Sequence, residues 1–214
     1  DGGGNILITC PSTAPTRTVT VAPELSLNMI PNETALCSDA QITFTNQSTG
    51  GNLSFAWDFN DGTTASSIGS AAAKPSVLHA FTNLSATDVI RNVLVTATNS
   101  NGCVRQQRIP IRVHPKVTSE FSLAVNDVCT YPLPVTLTNS SLNGTEFLWD
   151  FDKTGIMGAP QTALRTDKTP FVQTFTNPTL NDDRTFTVEL HSRTIHTATS
   201  GKTCEAISTK TLTV

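Results

Sequence analysis

Residues 57–62 read WDFNDG, and a closely similar phrase, WDFDKTG, follows at residues 149–155. Aromatic residues alternate with other residues in both phrases, and a period of two is typical of a half-buried β-strand. The aromatic positions that share one face are Trp57 and Phe59 in the first phrase and Trp149 and Phe151 in the second. We therefore predict that each phrase supplies the core anchor of a β-sandwich and is a folding motif.

The wider sequence repeats with the same spacing. Trp57 and Trp149 are 92 positions apart, and so are Cys37 and Cys129. Between cysteine and tryptophan lie the similar phrases QITFTNQS and PVTLTNSS, and a second cysteine occurs late in each unit. Self-similarity at a fixed spacing is the signature of a repeat architecture. The pattern predicts two units, residues 23–115 and residues 116–214.

Residues 1–22 resemble the end of such a unit. They contain a β-rich run, then Cys10, a polar turn and the closing phrase TVTV. One interpretation is that they are the C-terminal strands of a preceding unit. The other is that they form an assembly strand, which completes a sheet of a neighbouring subunit.

Composition narrows the classes of fold and function. Only 14% of the residues are charged, the net charge is -3 and the pI is near 5.8. This gives no basic footprint for nucleic acid, and no apolar run is long enough to insert into a membrane. Alternating short runs punctuated by Gly, Asn, Asp, Ser and Pro, with no helical periodicity, predict an all-β protein.

The five cysteines lack the spacing of a zinc site. The repeat predicts one disulfide within each complete unit, Cys37–Cys103 and Cys129–Cys204, and leaves Cys10 unpaired or bonded to another molecule. Such bonds indicate an extracellular or cell-surface location, because they persist in oxidising compartments. The alternative is that all five are buried free thiols.

WDFNDG is followed by HAFTN at residues 79–83 and by VLVTATNSNGC at residues 93–103. This series resembles the polycystic-kidney-disease (PKD) domain, an immunoglobulin-like module, with Asn60 in the place of the first glycine of the family motif. In the second unit, WDFDKTG lacks the second Asp and QTFTN lacks the His. The resemblance implies tandem immunoglobulin-like β-sandwiches. With its cysteine pairs, the chain resembles repeats of large secreted bacterial surface proteins, especially adhesins.

The loop after the first WDF phrase is a weak calcium candidate. Asp58, Asn60 and Asp61 offer the oxygen ligands that Ca²⁺ prefers, and some PKD modules of secreted proteases bind calcium. The alternative is a structural turn, since Asp and Asn often bond their own backbone. No other cofactor is expected.

No catalytic motif is present, so the chain is predicted not to be an enzyme. Among the histidines, His79 fits the H-x-F phrase of the PKD resemblance and is expected beside the tryptophan strand. His191 and His196 are five positions apart, which on one strand places them on opposite faces and makes a poor metal pair.

We expect a structural or adhesive repeat of a secreted filamentous protein. Short linkers carrying Pro23 and Pro115 predict a semi-rigid rod. The expected partners are neighbouring repeats or subunits, with surface glycans or proteins as further candidates. One alternative is a self-assembling fibre subunit that uses residues 1–22 for strand addition. The other is a carbohydrate-binding accessory module of a secreted hydrolase, which would need exposed aromatic residues.

Overall fold

The computed structural model describes residues 24–69, 76–126, 131–156, 161–177, 179 and 182–214, with the side chains of residues 67–69 excepted. Regular structure in these residues is entirely β-strand. The strands are β1 (Met29–Pro31), β2 (Ala35–Cys37), β3 (Gln41–Asn46), β4 (Leu53–Asp58), β5 (Thr64–Gly69), β6 (Val77–Ala80), β7 (Val89–Asn99), β8 (Val104–His114), β9 (Phe121–Val125), β10 (Leu133–Asn139), β11 (Glu146–Asp150), β12 (Thr162–Arg165), β13 (Phe171–Phe175), β14 (Thr185–His196) and β15 (Lys202–Thr213).

These strands form two β-sandwiches. In the first sandwich, the sheet β1-β3-β6 faces the sheet β2-β8-β7-β4-β5, and in the second, β13-β10-β9 faces β12-β11-β14-β15. Neighbouring strands are antiparallel, except that β2 runs parallel to β8. Each sandwich encloses its own cluster of buried apolar side chains. The fold is therefore all-β and immunoglobulin-like.

The WDF phrases lie at the centres of these cores. Trp57 and Phe59 are each 2% exposed, and their rings stack with centroids 5.8 Å apart. Trp149 and Phe151 repeat this stacked pair at 6.1 Å, also buried. Burial of an aromatic side chain of this size stabilises a fold by roughly 1.5–3 kcal/mol or more.

The turn after the first WDF phrase explains why this chain carries Asn where the PKD motif carries Gly. Asn60 has a φ of 58° and Gly62 a φ of 91°, both in the left-handed region. Gly enters that region without strain, and Asn is among the few other residues that tolerate it. The carboxylate of Asp58 accepts the amide of Asn60 at 2.8 Å and secures the turn.

The segment that connects the sandwiches is bonded to Asn83 of the first sandwich both before and after Pro115. The side-chain amide of Asn83 donates to the carbonyl of Val113 at 2.9 Å, and the backbone amide of Lys116 donates to the carbonyl of Asn83 at 2.8 Å. Pro115 is buried. The predicted unit limits stay predictions, and residues 1–22 lie outside the described residues.

Candidate functional site at the junction of the sandwiches

A disulfide joins the two sandwiches. Cys37 in β2 is bonded to Cys204 in β15, and their Cα atoms are 5.5 Å apart. This corrects both expected pairings, Cys37–Cys103 and Cys129–Cys204. Cys103 is free and exposed, whereas Cys10 and Cys129 lie outside the described residues.

The sheet geometry explains why the expected pairing within the first sandwich is wrong. Cys37 is the register partner of His114, at the last residue of β8, whereas Cys103 directly precedes Val104, the first residue. A strand rises about 3.3 Å per residue, so these ends are roughly 33 Å apart. A disulfide needs Cα atoms within about 7 Å. Cys37 therefore reaches forward, to the second sandwich.

His114 is the buried centre of the junction. Its side chain is completely shielded from solvent, and its Nδ1 atom lies 2.8 Å from the Oδ1 atom of Asp88. Its Nε2 atom lies 2.7 Å from the hydroxyl of Ser200 in the second sandwich. Both ring nitrogens therefore have partners, as a buried polar side chain requires.

Asp88 is the anion of this cluster. Arg112 donates to its second carboxylate oxygen at 3.0 Å, beside the bond to His114. Although partial burial opposes ionisation, hydrogen bonds from His114 and Arg112 hold the pKa of Asp88 below its usual value. A carboxylate that accepts bonds from two donors favours its charged form.

His196, at the end of β14, covers one face of the buried histidine. The rings of His114 and His196 stack with centroids 3.7 Å apart and an angle of 12° between their planes. Partial burial and the neighbouring His114 lower the pKa of His196, although Asp88 acts in the opposite direction. Within the described residues, the buried Nε2 atom of His196 has no hydrogen-bond partner. The stack therefore favours a neutral His196 ring.

The chain Ser200–His114–Asp88 has the hydrogen-bond order of an acyl-transfer triad, in which a serine, a histidine and a carboxylate follow one another. Such catalysis also needs backbone amides directed at a developing oxyanion. The amides of residues 199–201 all donate to the carbonyl of His196 instead, and the amide of Lys202 donates to the Ser200 hydroxyl. The three residues form a polar clamp between the sandwiches.

Further polar contacts cross the junction around this clamp. Lys202 in β15 forms an ion pair with Glu33 in the first sandwich. On another side, the side-chain amide of Asn143 donates to the carbonyl of Ser85 in the first sandwich at 3.5 Å and to the carbonyl of Lys116 in the connecting segment at 2.8 Å. The hydroxyl of Thr194 in β14 donates to the carbonyl of Asn143 at 2.6 Å. The second sandwich is therefore held through β14, β15 and the loop before β11.

Asp88, His114 and His196 are also the described residues best placed to hold a metal ion, with one ligand atom of each within 4.8 Å of the others. Metal binding would break existing bonds, because both nitrogens of His114 are engaged. The two histidine rings are also nearly parallel, so their nitrogens point along parallel planes and not toward one common ion. The present arrangement therefore suits a clamp better than a metal site.

Sequence reasoning missed this junction. His196 was considered only with His191, which instead lies 2.7 Å from both Glu189 and Glu205. Partial burial opposes the charged ring, but hydrogen bonds to these glutamates raise the pKa of His191. The local sequence around His114 carries no signal for the junction, because its partners Asp88 and Ser200 are distant in sequence.

The calcium candidates Asp58, Asn60 and Asp61 lie at the end of β4 and in the turn that follows it. The Oδ1 atom of Asp61 accepts bonds from the amide and the hydroxyl of Thr63, at 2.9 and 2.6 Å, and its Oδ2 atom lies 2.7 Å from His79 Nε2. His79 stacks on Phe59 with centroids 3.8 Å apart, beside the tryptophan strand as expected. The carboxylates thus serve the turn, and calcium binding stays a prediction.

Among the described residues, Tyr131 is the only large aromatic side chain that is exposed, at 51%. Its hydroxyl donates to the carbonyl of Asn177. Both tryptophans are buried. The described surface therefore presents no row of aromatic rings on which a sugar would stack. In the same residues, no helix has the length and apolar character needed to cross a membrane.

No family model and no curated protein matches the chain. Among solved structures, the PKD domain of human SorCS2 is 15% identical, with a TM-score of 0.36, over 54% of this chain and 95% of that one. A titin I-band fragment is 12% identical, with a TM-score of 0.41, over 89% and 65%. A bacterial ice-binding adhesin is 16% identical, with a TM-score of 0.34, over 90% and 65%. These likenesses concern the fold.

Proposed function

We propose that this chain is a non-catalytic structural or adhesive segment of a secreted or cell-surface filamentous protein, of bacterial type. Its two PKD-like units, residues 23–115 and 116–214, would form a semi-rigid rod with neighbouring repeats or subunits as partners. The observation that carries the proposal is the Cys37–Cys204 disulfide, which crosses from one sandwich to the other. The bond also supports an extracellular location, because disulfides persist in oxidising compartments.

The polar clamp supports the same proposal. A flexible linker would leave its side chains in solvent, whereas His114 at this junction is completely buried and contacts Ser200 and His196 of the second sandwich. Inter-domain motion is the default expectation unless an interface restrains it. Here a covalent bond and a buried polar cluster restrain it together.

The disulfide has a mechanical consequence for a filament. It closes a sequence separation of 167 residues, which contains strands β3 to β14 and leaves β1 and most of β15 outside. Tension applied to the two ends of the chain would pass through the sulfur–sulfur bond, and the strands between the cysteines would bear little of it. A load-bearing extracellular stalk is the function that this path favours.

Single-molecule stretching of the chain by its two ends tests the proposal. Without reductant, we expect extension only of the segments outside the disulfide, before Cys37 and after Cys204, and no release of the strands between the two cysteines. After reduction, about 550–600 Å of contour length should appear, since an extended residue spans about 3.3–3.6 Å. The double variant Cys37→Ser, Cys204→Ser should behave like the reduced protein. Two sandwich-sized events in the oxidised protein would contradict the proposal.

A further inference from the structure

The place of Cys103 in the first sandwich can be read from the strand register. Trp57 in β4 is the partner of Val95 in β7, and Val95 is the partner of Gln107 in β8. Cys103 lies four positions before Gln107, in the turn directly before β8. It is free and exposed.

Cys204 has the same place in the second sandwich. Trp149 in β11 is the partner of Leu190 in β14, and Leu190 is the partner of Ser208 in β15. Cys204 again lies four positions before this last partner. Cys103 and Cys204 are therefore counterparts in register from the core tryptophan, although Cys204 lies within β15 and Cys103 lies in the turn before β8.

The counterpart of Cys103 already forms a bond between sandwiches. Cys204 is bonded to Cys37, which lies at the forward end of the preceding sandwich, beside His114. Cys103 precedes the first residue of β8, so it lies at the opposite end of the first sandwich from the junction. Its thiol is at the end where a preceding sandwich would meet this one.

We propose that Cys103 forms a disulfide with a preceding PKD-like unit, through the cysteine that lies twenty positions before that unit's WDF phrase, as Cys37 lies before Trp57. The inference rests on the proposed function and deepens it by naming the partner. In solutions of the isolated chain, a second copy takes the role of the preceding unit, because its Cys129 lies twenty positions before Trp149.

The bond forms by thiol–disulfide exchange with a disulfide oxidant such as oxidised glutathione. The two cysteine thiols lose two protons and two electrons and form one sulfur–sulfur bond. The oxidant takes up the electrons and protons as its own disulfide is reduced to two thiols. No other reactant is needed.

Repetition of this bond would produce overlapping staples. Each unit would be bonded forward through its early cysteine and backward through its late one, as Cys37 and Cys204 are at the junction described above. Every junction of the filament would then be covalently closed. The observed bond would be one link of a continuous series.

The experiment is disulfide mapping of the whole chain, concentrated in a buffer of reduced and oxidised glutathione, alkylated and separated without reductant. We expect disulfide-linked oligomers in which Cys103 of one copy is bonded to Cys129 of another. Cys103→Ser should remove these oligomers. The matched control Cys10→Ser should retain them, because Cys10 has no part in the proposed bond.

Three outcomes would overturn the inference: complete alkylation of Cys103 at the highest concentration, a bond from Cys103 to Cys10, or a bond from Cys103 to Cys129 within one copy. The same digest reports separately on the proposed function. If Cys37–Cys204 is present while Cys103 is free, only the inference fails. If the Cys37–Cys204 bond itself is missing, the proposed function as a rod closed by a disulfide between its sandwiches is contradicted.

Discussion

The hairpins β7–β8 and β14–β15 share the register set by their core tryptophans, yet among the described residues only the second has its turn end in contact with the other sandwich. The first closes with residues 100–102, and the amide of Asn99 donates to the carbonyl of Cys103. Five residues separate the last register pair of each hairpin, but the second hairpin extends three residue pairs further: pairing continues from Leu190–Ser208 to His196–Lys202, whereas in the first hairpin it continues from Val95–Gln107 only to Thr98–Val104. The additional pairs of β14 and β15 carry His196 and Lys202 to the first sandwich.

This difference shows where a β-sandwich can acquire a new contact. A change within the paired strands would move a whole set of side chains to the wrong face, because side chains alternate with a period of two. Additional residue pairs at the far end of a hairpin leave the register of the existing pairs unchanged. His196 and Lys202 form the last pair of the extended hairpin and Ser200 lies in its turn, and all three contact the first sandwich.

Removing the Cys37–Cys204 disulfide should have the largest effect on stability. The double variant Cys37→Ser, Cys204→Ser loses a bond that spans 167 residues. In the chain-entropy model, closing a loop of that length stabilises the folded state by up to about 5 kcal/mol. We expect a loss approaching that size in the free energy of unfolding, measured with denaturant.

Cys103→Ser is the matched control, because it changes the counterpart cysteine in the turn of the β7–β8 hairpin. Its effect should be within about 0.5 kcal/mol, as for most exposed positions. If both variants lose the same free energy of unfolding, the Cys37–Cys204 disulfide contributes no more stability than an unpaired cysteine at the same register position.

His114→Ala should rank second. It removes both polar contacts of a completely buried ring and leaves Asp88 and Ser200 without that partner. Loss of a buried hydrogen-bond partner costs about 1–3 kcal/mol, and more where a charge is involved. Thermal unfolding and hydrogen exchange of residues 113–117 should both report the change.

The control for His114→Ala is His191→Ala. His191 is also bonded through both nitrogens, to Glu189 and Glu205, but it lies in a partly exposed surface cluster within the second sandwich. We expect less than about 1 kcal/mol, the usual range for such pairs. A loss equal to that of His114→Ala would show that the junction contributes nothing special.

The core was predictable because its signal is local. Alternation around Trp57 and Trp149 places the aromatic residues on one face, and the 92-residue spacing relates the two phrases. A period-two pattern decides which side of a strand is buried, without reference to distant parts of the chain. The structural turn named as the alternative at Asp58, Asn60 and Asp61 is also a local feature, since Asp58 accepts a bond from the amide two positions on.

The junction was not predictable, because its partners are distant in sequence. Repeat spacing identifies Cys37 and Cys204 as early and late cysteines, but it does not say which end of a sandwich each occupies. That information comes from the pairing of β2 with the end of β8. A histidine between Val113 and Pro115 likewise gives no sign that its ring will be buried against another sandwich.

The pH dependence of stability should separate the end of the extended β14–β15 hairpin, at His196, from the surface of its sandwich, at His191. The folded-state pKa of His196 is lowered from 6.5, so its contribution is complete above about pH 6.5 and is lost as the pH falls through the folded pKa. The folded-state pKa of His191 is raised from 6.5, so its contribution is complete below about pH 6.5 and is lost as the pH rises through the folded pKa.

Denaturant unfolding at pH 7.5 and pH 5.0 would measure both contributions. His196→Gln should reduce the loss of stability on acidification, whereas His191→Gln should increase it. Asp88 and His114, which face His196, are unchanged in both variants. Parallel shifts in the two variants would contradict the assignment of opposite signs.

Lys202→Gln should have the smallest effect. Lys202 forms an ion pair with Glu33 across the junction, and both side chains are partly exposed, at 42% and 24%. Exposed pairs contribute about 0–1 kcal/mol and weaken with added salt.

The control is Lys210→Gln, which breaks the pair with Glu120 at 2.7 Å within the second sandwich. Both variants should cost little stability, but only Lys202→Gln should widen the distribution of angles between the sandwiches in small-angle scattering, and added salt should remove the difference. Equal widening by both variants would mean that overall charge restrains the sandwiches, whereas widening by Lys202→Gln alone would assign the restraint to the end of the extended β14–β15 hairpin.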